Sequence, residues 1–132
     1  MKAKAKTETR TLKRRVAGRD YSTSIEAVHE AEVDKWVFTN AALAAAELAI
    51  AARVASEAPP SGEAFGWMRR ALDMKASELA RLLGVRPETI SRWETGAVDV
   101  DRGAWLHLGS LVLEQLGKPM ELRARMERIA AS

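Results

Sequence analysis

The segment from Met74 to Gly96 constrains the fold more than any other part of the sequence. The spacing of its apolar residues predicts two short helices, Ala76–Leu83 and Pro87–Glu94, joined only through Gly84-Val85. Glycine can adopt the left-handed conformation that ends a helix, and proline suits the first position of the next helix. So short a joint forces the two helices to cross steeply. The polar face of the second helix, beginning at Arg86, is then left free.

The chain of 132 residues divides at Pro59-Pro60-Ser61-Gly62, because two prolines cannot continue a helix and Ser-Gly favours a turn. We predict an α+β fold with a small mixed domain over residues 1–58, a linker at 59–62 and an all-α domain of five helices over 63–132. In the first domain, residue type and partial alternation predict a β-hairpin, a short third strand and a helix. These segments are Thr7–Val16, the turn Ala17–Asp20, Tyr21–Val28, Lys35–Phe38 and a helix capped by Thr39 or Asn40 that ends near Glu57. The five helices of the second domain are Glu63–Leu72, Ala76–Leu83, Pro87–Glu94, Asp101–Leu116 and Met120–Ala130.

Composition excludes several classes of function. The chain has no cysteine, which excludes disulfides, thiolate zinc sites, iron–sulfur clusters and cysteine nucleophiles. No apolar run approaches the roughly 18 residues of a membrane span, and no apolar core follows the basic start as a secretory signal requires. The only histidines, His29 and His107, are far apart in the sequence, and no pair of carboxylates stands out. We therefore expect a cytoplasmic protein without catalytic residues, metal or cofactor that is not an enzyme.

Charge is distributed unevenly along the chain. Residues 1–19 contain eight basic side chains and one acidic, a net of +7 in a chain of net +3. Residues 20–58 contain two basic and seven acidic side chains, a net of −5. The basic segment is suited to phosphates or an acidic protein surface, with a solvated terminus as the alternative. An acidic patch near the third strand is either a solvated face or a docking surface for a basic protein; its members are Glu26, Glu30, Glu32 and Asp34.

The two short helices carry a specific motif. Leu79-Ala80 is followed by Gly84-Val85 and then by the run Thr89-Ile90-Ser91-Arg92-Trp93-Glu94-Thr95-Gly96. From Glu63 to Val112 the sequence resembles the Cro/repressor-like (XRE) helix-turn-helix family, in which the second helix of the motif enters the major groove of DNA. The apolar motif residues are predicted to be core: Leu79, Ala80, Leu83, Ile90 and Trp93. The resemblance implies base contacts by Pro87, Glu88 and Arg92, and phosphate contacts by Lys75, Arg86, Thr89 and Thr95.

The chemistry of these residues suits those roles. Arg92 offers a fork of donors that matches guanine O6 and N7, and Glu88 can accept from cytosine N4. A second interpretation of Glu88 is an acid stabilised by the helix dipole. Pro87 offers only apolar contact. Where the family often has Ser and then Gln, this chain has Lys75 and Ala76. The charge of Lys75 can replace the phosphate contact of the serine. Alanine cannot replace the phosphate contact of the glutamine, so we expect that contact to be lost.

The order of the domains narrows the resemblance. An XRE domain behind a small mixed domain, with the junction Pro60–Phe65 and the stretch Val100–Arg102, is similar to the MqsA-type antitoxins of type II toxin–antitoxin modules. That similarity implies a C-terminal domain that dimerises and represses its own operon, and an N-terminal domain that holds a toxin ribonuclease. This chain departs from the group because it lacks the paired cysteines that bind zinc.

Two other functions stay open. One is a stand-alone XRE transcriptional regulator whose N-terminal domain senses a ligand or assembles oligomers. The other is a protein-interaction adaptor, which the polar face of Arg86, Thr89 and Arg92 disfavours. We expect a homodimer on double-stranded operator DNA, with an interface formed by the helices Asp101–Leu116 and Met120–Ala130.

Overall fold

The chain begins with a three-stranded antiparallel sheet in the computed structural model, which describes residues 6–117 and 122–131. Strand β1 (Thr7–Val16) pairs along its whole length with β2 (Arg19–Glu30). The short strand β3 (Lys35–Val37) pairs with the end of β2, so the order is β1-β2-β3. The predicted strands are confirmed, although β2 is longer and β3 one residue shorter than expected.

The hairpin turn is shorter than the predicted turn Ala17–Asp20. Ala17 and Gly18 alone form it, with φ of 49° and 77°. Two-residue hairpin turns require positive φ because their twist must match that of the strands. Arg19 and Asp20 already pair with β1. The sequence contains no signal that separates a two-residue turn from a four-residue one at this point.

Helix α1 (Asn40–Glu57) packs across one face of the sheet. Thr39 caps it, because the threonine hydroxyl oxygen accepts from the amide of Ala42 at 3.0 Å. Alternation along the strands turns every second side chain toward the helix. The side chains buried on this face are Leu12, Val16, Tyr21, Ile25 and Ala27. The opposite face of the sheet is mainly polar and exposed, apart from the partly buried pair Val28 and Val37.

The structure describes five further helices: α2 (Gly62–Ala71), α3 (Ala76–Leu83), α4 (Pro87–Glu94), α5 (Arg102–Gln115) and α6 (Leu122–Ala131). The bounds of α3 and α4 agree with the prediction. Asp101 caps α5, since its Oδ2 accepts from the amide of Ala104 at 2.9 Å. The predicted start of the last helix, Met120, lies outside the described residues. The α+β fold class is confirmed, and no helix in the described ranges is long and apolar enough to cross a membrane.

Both predicted domains contribute to one apolar core, because α1 packs against α5 and α2 as well as against the sheet. Ile50 and Val54 of α1 have no exposed surface, and the same is true of Trp105, Leu108 and Val112 of α5. The apolar face of α5 is therefore covered within the protomer, largely by the N-terminal part of the chain.

A buried arginine connects α6 to this core. The side chain of Arg125, a residue only 2% exposed, donates to the carbonyl oxygens of Ala55 at 3.3 Å and Leu106 at 3.2 Å. It also donates to the hydroxyl of Ser110 at 3.0 Å. Gly109 makes room for it, because a Cβ there would lie 1.9 Å from the guanidinium. Burial lowers the pKa of Arg125, and hydrogen bonds from carbonyl oxygens compensate part of that cost.

Two more arginines complete the contacts at the C-terminal end of α1. Arg128 donates to the carbonyl oxygens of Ala55 at 3.2 Å and Ala58 at 3.0 Å. Arg19, from the start of β2, donates to the carbonyl oxygen of Glu57 at 2.8 Å. The last carbonyl groups of a helix lack intrahelical partners and carry partial negative charge, so cations stabilise them. Side chains from both ends of the chain thus meet on α1.

We predict that Ile50→Ala destabilises the whole chain rather than the sheet alone. Truncating a buried isoleucine costs about 2–5 kcal/mol. Because sheet and helices share one core, unfolding in urea should give a single transition whose shifted midpoint is the same by tryptophan fluorescence and far-UV circular dichroism. Ala44→Ser, at an exposed position of the same helix, is the control. Two separate transitions would contradict a shared core.

Candidate nucleic-acid interface

Only three residues, Gly84 to Arg86, join helices α3 and α4. Gly84 ends α3 with φ 70° and ψ 31°, the left-handed conformation predicted for it. The amide of Val85 donates to the carbonyl oxygen of Ala80 at 2.9 Å, which closes the end of the helix. Arg86 is extended, and Pro87 takes the first helical position of α4 as predicted. The sharp change of direction therefore comes from local backbone preferences.

The inner faces of α3 and α4 form the contact between them. Four of the five residues predicted as core are buried, and the fifth, Leu83, is partly buried; the four are Leu79, Ala80, Ile90 and Trp93. The ring of Trp93 meets Phe65 of α2 edge to face, with centroids 5.6 Å apart and an interplanar angle of 78°. The tryptophan therefore anchors α4 on α2 as well as on α3.

A bidentate ion pair fixes the last turn of α4 to α2. Nε of Arg69 lies 2.7 Å from Oε2 of Glu94, and Nη2 lies 2.8 Å from Oε1. Nη1 donates to the carbonyl oxygen of Met74, just before α3, at 2.9 Å. Both charged side chains are about 15% exposed, and the hydrogen bonds to Glu94 raise the pKa of Arg69. One guanidinium group thus links three helices.

Sequence reasoning missed the contacts that set the position of α4. Arg69 and Glu94 are 25 residues apart, and neither carries a local signal of pairing. Gly62 was interpreted only as part of a turn, yet a Cβ there would lie 1.9 Å from the carbonyl oxygen of Trp93. That spacing requires glycine where the start of α2 passes the end of α4.

The outer face of α4 is exposed and polar. The exposed positions predicted for DNA contact are Arg86, Pro87, Glu88 and Arg92, while Thr89 is partly buried. Glu88 and Arg92 lie one turn apart on the same side of the helix. Arg86, Pro87, Glu88 and Thr89 lie at the N-terminal end of α4, and Arg92 lies in its last turn. Their contacts with bases and phosphates stay predictions.

The cations on this face are free. Within residues 6–117 and 122–131, no carboxylate lies within 4.0 Å of Arg86 or Arg92. Other surface arginines are paired, as in Arg53–Glu57 at 2.8 Å and Arg123–Glu127 at 3.1 Å. Unpaired cations beside an open helix N-terminus favour a phosphate ligand.

The two outlying phosphate candidates lie at the ends of the motif. Lys75 is exposed in the capping position of α3 and makes no side-chain capping hydrogen bond. The hydroxyl of Thr95, after α4, donates to the carbonyl oxygen of Arg92 at 3.3 Å. Their phosphate contacts also stay predictions.

The histidines lie outside this surface. His29, in β2, has Nε2 at 2.8 Å from Oδ1 of Asp34 and its ring 5.2 Å from that of Trp36. His107 is exposed on α5. In the part of the chain that the structure describes, no three His, Asp or Glu side chains are placed to hold a metal ion.

We predict that Glu94→Ala lowers the free energy of unfolding by about 3 kcal/mol, because a largely buried guanidinium loses its carboxylate. Replacing both partners, as Arg69→Met with Glu94→Leu, should recover part of that loss because no buried charge is left unpaired. Urea unfolding measures both. The matched control is Glu57→Ala, which breaks the exposed Arg53–Glu57 pair and should change stability little. Equal losses for the two pairs would contradict a role for Arg69–Glu94 in positioning α4.

Comparison with known proteins identifies the same segment. Residues 67–101 match the family model HTH_3, described as Helix-turn-helix. The matched range contains all of α3 and α4, and both members of the Arg69–Glu94 pair. No curated protein and no solved structure matches the chain. The match confirms the XRE-type helix-turn-helix in this segment and supports a DNA-binding regulator.

Proposed function

We propose that the protein binds operator DNA in a sequence-specific manner through α4, represses its own operon and acts as the antitoxin of a type II toxin–antitoxin pair. The observation that carries the DNA half of this proposal is the exposed face of α4 with its unpaired arginines. The major groove admits a single α-helix, and a helix that meets it by the N-terminal end presents partial positive charge to the DNA. The inner face of α4 is packed away, so only the polar face is available.

Each side chain on that face has a distinct role in the proposal. Arg92 reads guanine through two parallel hydrogen bonds, and Glu88 accepts from cytosine N4. Pro87 contacts a thymine methyl. The phosphate contacts set the register on the duplex and carry no sequence information. Their donors are Lys75, Arg86, Thr89 and Thr95.

We propose that the protein binds DNA as a homodimer, because a single helix makes few base contacts. The predicted interface helices are α5 and α6. Since α5 buries Trp105 and Leu108 within the protomer, the interface would use its other side. There a groove of about 450 Å³ lies between α3 and α5. It is lined by Leu82, Leu83, His107, Ser110, Leu111 and Glu114.

The antitoxin half of the proposal depends on the N-terminal part of the chain. The sheet presents a polar, exposed face that the helix-turn-helix does not use. At the end of the sheet near β3, Glu26, Glu30 and Glu32 are exposed, and Asp34 is held by His29. A clustered negative surface is complementary to a basic ribonuclease and would accelerate its encounter with the protein. We therefore propose this acidic end of the sheet as the toxin-binding surface.

For the DNA contacts, we predict different outcomes for two arginines. Arg92→Ala should cost about 1–3 kcal/mol per half-site and relax base preference at one position of each half-site. Arg86→Ala should weaken binding to all sequences alike and reduce the slope of log affinity against log salt by about one per protomer. Fluorescence anisotropy on matched and mismatched duplexes, with stoichiometry from titration at high concentration, measures both. Lys35→Ala, at an exposed position of β3, is the control.

Identical, uniform losses for Arg92→Ala and Arg86→Ala would contradict the assigned roles. A stoichiometry of one chain per duplex would contradict the dimer. Two half-sites with centres about 34 Å apart, or a multiple of that distance, are expected from the symmetry of a dimer on B-DNA.

For the antitoxin role, we predict that a product encoded next to this chain is toxic when expressed alone and is neutralised by co-expression of the full chain. Glu26→Gln with Glu30→Gln and Glu32→Gln should abolish neutralisation and leave operator binding intact. Arg92→Ala should do the reverse, because the two surfaces are separate. Glu63→Gln with Glu78→Gln and Asp99→Asn, at exposed positions outside the acidic end of the sheet, is the control for loss of three negative charges elsewhere. Absence of a toxic neighbour that binds the chain would refute the antitoxin role and favour a stand-alone regulator.

A further inference from the structure

The first half of strand β1 is an open edge of the sheet. In the order β1-β2-β3, no strand in the described part of the chain pairs with the outer side of β1. Residues 7–11 are all exposed. The ladder with β2 runs from Thr7 to Val16 without a bulge, and the strand contains no proline. Proteins usually protect so long an edge, because its free amides and carbonyls can pair with another strand.

The hydrogen bonds to β2 show which backbone groups of this edge are free. The amide of His29 donates to the carbonyl oxygen of Lys6 at 2.9 Å, so these two residues form a hydrogen-bonded pair. Hydrogen-bonded and non-hydrogen-bonded pairs alternate along an antiparallel ladder. Thr7, Thr9 and Thr11 therefore direct their amides and carbonyls away from β2. Within residues 6–117 and 122–131, no other strand or loop bonds to them.

The second half of the edge is closed to a further strand. The side chain of Arg14 folds onto the backbone, where Nη1 donates to the carbonyl oxygen of Lys13 at 2.9 Å. The run Lys13-Arg14-Arg15 also concentrates positive charge, which opposes pairing with a similar strand. A further strand can therefore pair only with the first half of β1.

The first half of β1 is complementary to itself. Its sequence over residues 7–11 is Thr-Glu-Thr-Arg-Thr, with opposite charges on the two sides of the central Thr9. Cross-strand threonine pairs and opposite charges stabilise an antiparallel ladder, and like charges directly opposite destabilise it. With two copies antiparallel about Thr9, no like charges are directly opposite over residues 6–12. The pairs are then Thr9 with the partner's Thr9, Thr7 with the partner's Thr11, Glu8 with the partner's Arg10, and Lys6 with the partner's Leu12.

The charges also determine the register of this pairing. The free backbone groups allow only shifts by an even number of residues. A shift by two residues in one direction places Arg10 opposite the partner's Arg10, and in the other direction it places Glu8 opposite the partner's Glu8. Glu8 and Arg10 form an ion pair with each other within the free chain, and both are exposed. Pairing about Thr9 exchanges the partners of these charges and leaves neither unpaired.

The rest of the molecule leaves room for a second copy. Helix α1 lies mainly over β2 and touches β1 less. Antiparallel pairing about an axis perpendicular to the sheet places both copies of α1 on the same face, each over its own β2. Two β2 strands separated by both copies of β1 lie about 14 Å apart, at about 4.8 Å for each strand spacing. Packed helices need only about 8–10 Å between their axes, so the two helices do not collide.

We propose that two copies of the chain join through the first half of β1, with Thr9 at the two-fold axis, and form one continuous sheet of order β3-β2-β1-β1-β2-β3. Each of the three threonine pairs contributes two backbone hydrogen bonds across the axis. This interface shares no residue with the dimer surface proposed on α5, so one chain can use both. It does not depend on DNA binding, and it connects DNA-bound dimers through their sheets.

The absence of cysteine makes the interface directly testable, because a single introduced thiol reports only on its own position. Thr9→Cys places two thiols opposite each other, with Cα atoms about 5.5 Å apart, within the range that a disulfide spans. Thr11→Cys, on the same exposed face, is the matched control. Its Cα atom and that of the second copy lie about 13 Å apart along the strands, too far for a disulfide.

The full-length variants are oxidised with copper–phenanthroline in the absence of DNA, and non-reducing gels measure the rate at which the covalent dimer forms. Thr9→Cys should cross-link at least about tenfold faster than Thr11→Cys, because only its thiols face each other. Thermal unfolding followed by circular dichroism checks that both variants are folded. Equal rates, or no cross-linking of Thr9→Cys, would overturn the inference.

Charge reversal in the Thr9→Cys background tests the pairing of Glu8 with the partner's Arg10. Glu8→Arg and Arg10→Glu each place like charges opposite each other at two positions, so each should slow cross-linking about tenfold. An equal mixture of the two variants should recover the rate, because every arginine then faces a glutamate in the mixed pair. Association through α5 is the same in all samples. A loss that the mixture does not recover, or no loss in either variant, would contradict the proposed register.

Discussion

The position of α4 depends on the fork of hydrogen bonds between Arg69 and Glu94. Helices of eight residues are not stable alone in water, so α3 and α4 exist because other elements hold them. The guanidinium of Arg69, on α2, bonds to Glu94 of α4 and to the carbonyl oxygen of Met74 just before α3. The absence of a Cβ at Gly62 lets α2 pass close to the end of α4. With the inner face of α4 fixed in this way, its polar face has only solvent or a ligand to meet.

Local features of the sequence were sufficient to predict most of the secondary structure. The left-handed glycine at Gly84 and the proline at the start of α4 act through neighbouring atoms, and the structure has them as expected. Of the two residues predicted to cap α1, the structure has Thr39 as the cap. The main local feature predicted wrongly was the length of the hairpin turn. The turn is short because Arg19 pairs with Val16 of β1, and the partial alternation of residue types in the sequence does not show where this pairing ends.

Contacts between distant segments could not be predicted. Nothing near Arg125 indicates that it would be buried against α1, because its carbonyl partners are common to every residue. The proline-rich junction suggested two separate units, yet α1 and α5 pack directly. The apolar stripe of α5 faces the same chain, so the predicted interface between protomers concerns the other side of this helix. Tertiary packing determines which surfaces are left exposed to bind partners, whereas the sequence indicates only the charge of each segment.

The contacts at the end of α1 also form only after α6 has been synthesised. Arg125 and Arg128 of α6 donate to carbonyl groups 70 to 73 residues earlier in the sequence. A nascent chain on the ribosome can form the hairpin and begin α1, but the carbonyl oxygens of Ala55 and Ala58 lack these partners until α6 is present. Chains that stop before α6 consequently expose the end of α1 and part of its apolar surface, and proteases that act on open states would remove them selectively.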